Sequence, residues 1–338
     1  TPFAPDQSGA VSVLYELGGI IVICDAGGCT GNVCGFDEPR WFERKSAVFS
    51  AGLRDMDAIL GRDDRLVAKL VDAADKIDAN FAAIVGTPVP AVIGTDYQAL
   101  KRMCEKKTDL PILAIDTDGM ELYDKGEEKA YLALFTAFAK EKYEVCKEKV
   151  GILGMTPQDV SDLKAADKVR EELKKEGKEA ICYGMGDGLE AVERASEAGK
   201  NIVVSAAALE AAKYLEKTFG TPYEIGYPAA GELVPNLDYQ GKKILVVHQQ
   251  VRAEAIRQEI LKRENLAEVQ TATWFMRKKE LACPQDVSLR EEDDYIDLVK
   301  NGGFDIIFAD ACMEKMVPDF QGIFVNTRHF AVSGRLCE

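Results

Sequence analysis

The sequence predicts an α/β protein built from three Rossmann-like αβα domains with mainly parallel sheets. Short, continuous apolar runs recur along the chain, and such runs are typical of strands covered on both faces, as in parallel sheets. Amphipathic segments separate them; within residues 162–176, for example, Leu163, Ala166, Val169 and Leu173 follow helical spacing. At 338 residues the chain also exceeds the length that one hydrophobic core usually organises, about 250–300 residues.

Eight apolar runs are predicted to be strands, and they occur in the order 19–24, 81–86, 111–116, 149–154, 178–184, 200–206, 242–248 and 304–310. Between them, residues 126–147 are predicted to form one long helix and residues 162–176 a crossover helix. A new strand follows residue 148, and the proline-bearing stretch 227–241 shows little periodicity. We therefore predict domains at 1–148, 149–238 and 239–338, with ligand-binding clefts at the carboxyl ends of their strands.

The charge balance excludes two classes of partner. The chain has 42 Lys and Arg against 57 Asp and Glu, a net charge of −15, whereas nucleic acids and anionic membranes are bound by basic surfaces. No apolar run approaches the roughly 20 residues that span a bilayer, and residues 1–5 show no export signal. Nine scattered cysteines in such a chain indicate reduced thiols, so a cytoplasmic location is expected.

One group of cysteines is clustered. Cys24, Cys29 and Cys34 follow the first predicted strand with the spacing C-x4-C-x4-C and are interleaved with glycines. At the edge of a sheet, such glycines let backbone N–H groups face a sulfur atom or an anion. An iron–sulfur cluster needs about four thiolates, so two chains that meet at this loop would supply enough. Cys24 is more typical of a core residue at a strand end, Cys29 is favoured as a ligand, and Cys34 is open to either role.

The remaining motifs favour structural roles. Residues 184–188 follow a predicted strand, but their spacing departs from the Gly-x-Gly-x-x-Gly of dinucleotide sites, which favours a tight strand-to-helix turn. His248 and His329 lie far apart in sequence, so neither a histidine zinc site nor a Ser-His-Asp arrangement is supported. Five isolated cysteines are interpreted mostly as packing residues: Cys104, Cys146, Cys182, Cys283 and Cys312.

Several segments together carry a more specific pattern. They are the Gly-Gly-Cys loop at 27–29, V-F-x-x-G-L at 48–53, V-G-T-x-x-x-x-x-I-G-x-D at 85–96, G-D-G-L-E at 186–190 and A-A-K-Y-L-E-K-T-F-G-T-P-Y at 211–223. This pattern resembles the nitrogenase component 1 family, which includes molybdenum–iron protein subunits, their cofactor-assembly scaffold, protochlorophyllide reductase subunits and nickel-sirohydrochlorin reductive cyclase. The resemblance implies a homodimer or a homologous partner subunit, an iron–sulfur cluster at the subunit interface, and electrons from an ATP-dependent iron protein.

The chain departs from the family pattern at the cluster ligands. Cys29 matches one family ligand, but no cysteine stands near Phe3 to Asp6, and the third ligand position is Pro88. The place that matches the cofactor-holding cysteine of nitrogenase reads Val204-Ser205, so dinitrogen reduction is not expected. Cys34 and Cys24 would compensate. We expect Cys29 and Cys34 from each of two chains to hold one shared [4Fe–4S] cluster, with Cys24 as a reserve ligand.

Three functions follow as hypotheses. The leading one is a nitrogenase-like oxidoreductase subunit that reduces an unidentified small-molecule substrate in an interdomain cleft. The second is a non-catalytic scaffold that holds a metallocluster or tetrapyrrole precursor during assembly. The third is a cluster-free small-molecule binding protein. Substrate turnover with an iron protein and ATP, or cluster transfer without turnover, would separate the first two, and metal analysis would separate the third.

Overall fold

The computed structural model describes residues 3–54, 57 and 62–337. Its strands are β1 (Ile20–Ile23), β2 (Ala47–Ser50), β3 (Ala82–Val85), β4 (Ile112–Ile115), β5 (Cys146–Leu153), β6 (Glu179–Cys182), β7 (Ala198–Val203), β8 (Tyr223–Ile225), β9 (Lys243–Val247), β10 (Glu268–Thr273), β11 (Val287–Ser288), β12 (Ile306–Ala309) and β13 (Ile323–Asn326). Every pairing between these strands is parallel.

Helices connect the strands on both faces of the sheets. The α-helices are α1 (Asp6–Leu14), α2 (Gly28–Asn32), α3 (Asp63–Ala74), α4 (Pro88–Val92), α5 (Tyr97–Glu105), α6 (Tyr123–Phe138), α7 (Pro157–Val160), α8 (Ala165–Lys175), α9 (Leu189–Glu193), α10 (Leu209–Phe219), α11 (Gln250–Arg263), α12 (Glu292–Gly302), α13 (Ala311–Glu314) and α14 (Phe330–Ser333). A π-helix spans Val33–Asp37, and short 3₁₀ turns occupy Pro39–Phe42, Ala195–Glu197, Ala206–Ala208, Ala230–Leu233 and Lys279–Leu281. None of the described helices has both the length and the apolar character needed to cross a bilayer.

The strands form three separate sheets, each of which contains a topological switch point. Their strand orders are β2-β1-β3-β4, β6-β5-β7-β8 and β11-β10-β9-β12-β13. In each sheet the second strand in sequence pairs on one side of the first strand, and a later strand pairs on the first strand's other side. Ligands bind in the crevice at such a reversal, outside the carboxyl ends of the strands. The three candidate positions are therefore the ends of β1 and β3, of β5 and β7, and of β9 and β12.

The α/β class with parallel sheets, predicted from the sequence, is confirmed. Each of the eight predicted strands overlaps an observed one. Five strands were not predicted: four of them, β2, β8, β11 and β13, lie at sheet edges, and β10 carries threonine and glutamine within an otherwise buried strand. Short edge strands need no continuous apolar run, because one side of each is not paired. The domain boundaries at 148 and 238 stay predictions.

The predicted helix over 126–147 is wrong in its last third. The helix ends at Phe138, and Cys146 already belongs to β5. Backbone pairing explains the difference, because the start of β5 joins β7 through Cys146 and Ala198 ahead of a register shift. The charged residues of this segment have the local pattern of an exposed helix. Long-range pairing with β7 places the end of the segment in strand β5 instead.

Helix α1, which the sequence pattern did not reveal, lies buried along its whole length. It crosses α6 with almost no side chains between the two backbones. A Cβ atom on Gly126 would lie 1.7 Å from the carbonyl oxygen of Asp6, and one on Gly9 would lie 1.9 Å from that of Tyr123. Only glycine permits this approach. The crossing holds the N-terminal segment against the point where the three sheets meet.

Candidate functional site

The cysteine loop lies at the switch point of the first sheet. After β1 the chain turns at Gly27, whose φ of 121° is accessible to glycine, and enters α2 and then the π-helix Val33–Asp37. The Asp25 carboxylate fixes this helix, since it accepts hydrogen bonds from the Thr30 N–H at 2.7 Å, the Thr30 hydroxyl at 3.0 Å and the Ser50 hydroxyl at 2.6 Å. The thiols of the loop therefore stand on a rigid support.

The structure divides the three predicted ligand residues into two kinds. Cys29 and Cys34 are half-buried and pack against the edge of the first core, whereas Cys24 is 1% exposed within the core. Burial, reinforced by the Asp25 carboxylate, raises the pKa of the Cys29 thiol; burial and Glu38 raise the pKa of the Cys34 thiol. Burial raises the pKa of Cys24 far more. Within the described ranges, no three or more His, Cys, Asp or Glu side chains are grouped to hold a metal ion.

The three positions that match family cluster ligands are neighbours in this chain, although only one is a cysteine. Against the larger effect of burial, the Thr87 side chain lowers the pKa of the Cys29 thiol, and the Thr87 hydroxyl donates to the Cys24 carbonyl at 2.6 Å. The next residue, Pro88, begins α4 and packs so closely on Gly119 that a Cβ there would lie 2.4 Å from the proline ring. The Gly119 N–H in turn donates to the Asp6 carboxylate at 2.7 Å. The structure thus brings these loops together without supplying two of the thiols.

Apolar side chains surround this edge of the first sheet and point into solvent. Phe36, Val92 and Met120 are 72%, 79% and 79% exposed, and Val89 and Ile93 beside them are also exposed. These five residues, which we call the apolar rim, follow β1, β3 and β4. Exposed large hydrophobic residues that stand together mark an interaction surface.

A cavity of about 620 Å³ lies between the first and third sheets; we call it the main cleft. One wall is the cysteine-bearing helical segment, through Asn32, Phe36 and Asp37. The opposite wall includes the buried Asp310, whose carboxylate accepts from the Ser333 hydroxyl at 2.7 Å and the His329 N–H at 3.0 Å. A small molecule in this cleft would contact the same helix that carries Cys29 and Cys34.

A buried polar cluster joins residues that follow strands of all three sheets: Tyr123 follows β4, Asp159 follows β5, and His248 and His329 follow β9 and β13. The Tyr123 hydroxyl donates to Asp159 Oδ1 at 2.5 Å and pairs with His329 Nε2 at 2.8 Å. His329 stacks on His248 with ring centroids 4.1 Å apart and planes 6° apart. Glu127 joins the cluster through Thr156. The two histidines, 81 positions apart in sequence, are therefore in direct contact.

Burial favours the uncharged forms of the two histidines and of Glu127 in this cluster. It lowers the pKa of His248 well below the usual value, assisted by the neighbouring His329, and it lowers the pKa of His329 against the opposing effect of Asp159. Burial, with Asp159, raises the pKa of Glu127 well above its usual value. Since His248 Nδ1 accepts from the Gln249 N–H at 2.8 Å, its proton resides on Nε2, which faces the Arg328 carbonyl.

Asp124, which borders this cluster, is expected to make stability depend on pH. Burial raises its pKa from 3.8 to about 6, so between these values the folded protein binds more protons than the unfolded chain. Stability should then fall by about 2 kcal/mol as pH rises from 4 to 7. Asp124→Asn should remove this slope and be more stable than the wild type at pH 7. Urea unfolding at several pH values measures this; the exposed Asp297→Asn serves as control, and an unchanged slope in Asp124→Asn would contradict the assignment.

The glycine motif at 184–188 is a tight turn, as predicted. Gly184 and Gly186 have positive φ values of 76° and 103°. The Gly184 carbonyl accepts from Arg40 at 3.1 Å, and the Gly186 N–H donates to Glu16 at 3.0 Å. The turn therefore docks the second sheet onto the first part of the chain, and its backbone groups are already engaged.

The position that matches the cofactor-anchoring cysteine does not fit that role. Ser205 is 2% exposed and its hydroxyl caps the Ala206–Ala208 turn by accepting from the Ala207 N–H. The carbonyl of Val204 accepts from the Gln249 side chain at 2.8 Å. A hydroxyl held in a cap cannot replace a soft thiolate as an anchor for an iron-rich cofactor.

Three parallel sheets, with a thiol-bearing helical segment at the carboxyl edge of the first, define a multi-sheet α/β protein. The family model "Nitrogenase component 1 type Oxidoreductase" matches residues 7–229. The chain belongs to this family. The match ends before the third sheet, where the sequence resemblance is also weakest.

Comparisons with individual proteins agree with this assignment. The "Nitrogenase iron-molybdenum cofactor biosynthesis protein NifE" of Clostridium pasteurianum is 26% identical over 181 residues, which are 52% of this chain and 38% of the relative. The solved structure "Nitrogenase Cp1 at pH 6.5" matches with a TM-score of 0.72 at 12% identity, over 96% of this chain and 85% of the matched chain. "Nitrogenase Cp1 at pH 5" matches with a TM-score of 0.68 at 15% identity, over 96% of this chain and 82% of the matched chain. At such identities the structural matches establish the fold.

Proposed function

We propose that the chain is a nitrogenase-like oxidoreductase subunit that binds an iron–sulfur cluster at a subunit interface and reduces a small-molecule substrate with electrons from an ATP-dependent iron protein. One observation carries the proposal. Two half-buried thiols, Cys29 and Cys34, stand on one helical segment at a switch point, surrounded by the exposed apolar rim. Membership in an oxidoreductase family supports the redox role.

Cys29 and Cys34 of two chains would supply the four thiolates of one [4Fe–4S] cluster. A cluster of this kind accepts and passes on single electrons. The chain's own contribution is to position and shield it: Asp25 holds the helix, and the apolar rims of two chains would exclude water around the sulfur atoms. Cys24 remains a reserve ligand, because its thiol lies beneath the surface and would need the end of β1 to open.

The substrate is proposed to bind in the main cleft. Its wall is formed by the cysteine-bearing segment, so an electron would leave the cluster toward the cleft without crossing another domain. Asp310 and Lys315 supply polar contacts on the opposite wall. The neutral Tyr123, Glu127 and His329 lie behind this wall and offer protons of the kind that a reduction consumes.

The function is tested with anaerobically purified protein, an iron protein and ATP. Loss of candidate substrate that requires all three components would support the reductase. Protein that binds iron but does not oxidise the reduced iron protein would contradict it.

A second function is favoured by the sequence relative and by Ser205. The relative is named as a cofactor biosynthesis protein, and the thiolate that would retain a catalytic cofactor is replaced here by a capped hydroxyl. A scaffold would release its cluster. Transfer of iron to an acceptor apoprotein, with no substrate turnover, would establish this alternative over the reductase.

The apolar rim gives a separate prediction on assembly. We expect Val92→Glu to convert a dimer into monomers, because it places a charge in the centre of a face that a second subunit would desolvate. Sedimentation velocity measures the change. The control is Leu266→Glu, an exposed hydrophobic residue between α11 and β10, which should leave the dimer intact. A wild-type protein that sediments as a monomer, or a Val92→Glu dimer, would contradict the proposed interface.

A further inference from the structure

A second cavity, of about 390 Å³, lies between the second and third sheets and shares Asn326 and Arg328 with the main cleft. Three cationic residues line it: Lys168, Arg252 and Arg328. Two acidic side chains, Asp162 and Glu232, also line it. Nothing in the proposed redox function makes use of this cavity.

Arg252 is unusual among the charged groups of the described chain. It is 4% exposed, and its guanidinium lies 4.9 Å from the centre of the Tyr227 ring. Its Nε and Nη1 atoms have no hydrogen-bond partner among the described residues. An arginine remains charged at any physiological pH, and burying its N–H groups without acceptors is strongly unfavourable. The Tyr227 side chain contacts the guanidinium, but the Nε–H and Nη1–H groups of Arg252 stay without an acceptor among the described residues.

The nearby carboxylates are engaged elsewhere. Asp162 accepts from Lys168 at 2.9 Å and from the Lys164 N–H at 2.8 Å. The Glu232 Oε2 atom lies 3.4 Å from Nζ of the same lysine. Both acids are therefore arranged around Lys168, and Arg252 keeps a positive charge that no described group neutralises directly.

The helix that carries Arg252 increases this positive potential. Arg252 stands in the first turn of α11, a helix of 14 residues, where the backbone dipole is positive and a cation is disfavoured. The same end of a helix favours a bound anion. A buried, unpaired arginine at this place is explained if an anionic ligand is its partner.

We propose that the second cavity binds the oxyanion group, a carboxylate or a phosphate, of a small molecule, with Arg252 as the principal contact and Lys168 as a supporting one. The Arg252 guanidinium, which lines the cavity, donates charge-assisted hydrogen bonds to oxygen atoms of the ligand. Lys168 contributes from α8 across the cavity. This assignment stands on the second cavity alone and is independent of the cluster and of the reductase activity.

The test uses isothermal titration calorimetry on the full chain with two probes, inorganic phosphate and malonate, at constant ionic strength set with chloride. Wild-type protein should bind at least one probe, and the preferred probe identifies the ligand group. Arg252→Met should weaken binding at least about tenfold, and Lys168→Met by a few-fold. Lys175→Met, an equal change of charge at an exposed position of the same helix as Lys168, should bind like the wild type.

Two outcomes would overturn the proposal: binding of neither anion more tightly than about 10 mM, or equal affinity in wild type and Arg252→Met. A thermal unfolding series controls for folding. Since Arg252→Met removes an unpaired buried charge, its midpoint without anion should equal or exceed that of the wild type, and the rise on adding anion should be lost. Should this variant fail to fold, Arg252→Lys keeps the charge with a different geometry and is expected to retain weakened binding; undiminished binding by it would also overturn the proposed contact.

Discussion

Replacing Cys29 with serine is expected to remove most of the iron from anaerobically reconstituted protein, from about four atoms per pair of chains to fewer than about one. Cys29 is the residue that matches the family ligand, and its half-buried thiol stands on a helix held by Asp25. A hydroxyl in its place is a poor ligand for iron in a sulfur-rich cluster. Iron analysis and the visible absorbance of the cluster measure the loss.

The other thiols separate the ligand role from a packing role. Cys34→Ser should behave like Cys29→Ser, because two chains must supply two thiolates each. Cys24→Ala should retain iron and lose about 1 kcal/mol of stability, as for a small core truncation. Cys146→Ser, at a half-buried thiol on β5, is the matched control and should keep its iron. Full iron in Cys29→Ser together with loss in Cys24→Ala would show the ligand assignment to be wrong, and a wild type that binds no iron would end the cluster hypothesis.

Arg40→Met is expected to lower the free energy of unfolding by about 3–5 kcal/mol, the cost of breaking a buried ion pair by removing one partner. Arg40 is 5% exposed and all its N–H groups are engaged. It donates to Glu38 at 2.7 Å through Nε and Nη2, to Glu16 and the Gly184 carbonyl at 3.1 Å, and to the Ser12 carbonyl at 2.7 Å. Its loss leaves the Glu38 carboxylate buried without its counter-ion and releases the turn of the second sheet. Urea unfolding measures the change.

A double variant tests the cause of this loss. Arg40→Met combined with Glu38→Leu removes both charges, so it should recover much of the lost stability. Lys76→Met, which breaks an exposed pair with Asp72, should change stability little. If Arg40→Met unfolds at the same urea concentration as Lys76→Met, the buried network does not hold the two sheets together.

Much of the fold was predictable from the sequence, and the exceptions have physical causes. Continuous apolar runs revealed the central strands, because burial on both faces requires such composition. The edge strands β8 and β13 need no continuous apolar run, so the sequence pattern did not reveal them. Helix α1 was missed because it is buried on all sides, so it shows no single apolar stripe. The run 139–147 was assigned to a helix because pairing between β5 and β7 cannot be seen in a local window.

The candidate site was only partly predictable. The cysteine loop was found, because thiols among glycines after a strand form a local pattern. Asp310 and His248 are the last residues of two predicted strands, and that position at the carboxyl edge of a parallel sheet was the available signal. Tyr123 and Asp159 carry no comparable signal, since they lie in helices and meet His329 only in the folded chain.

The sequence alone determined the α/β class, the family and the segment that bears the cysteines, because these depend on periodicity and on motifs that extend over a few residues. Tertiary structure decided which residues of that segment are accessible: Cys24 ends a buried strand, whereas Cys29 and Cys34 stand on a helix at the surface of the core. It also decided that two distant histidines stack and that Nε and Nη1 of Arg252 have no acceptor among the described residues. These facts arise when the three sheets pack against one another. Burial and hydrogen-bond satisfaction are properties of that packing and not of any local stretch of chain.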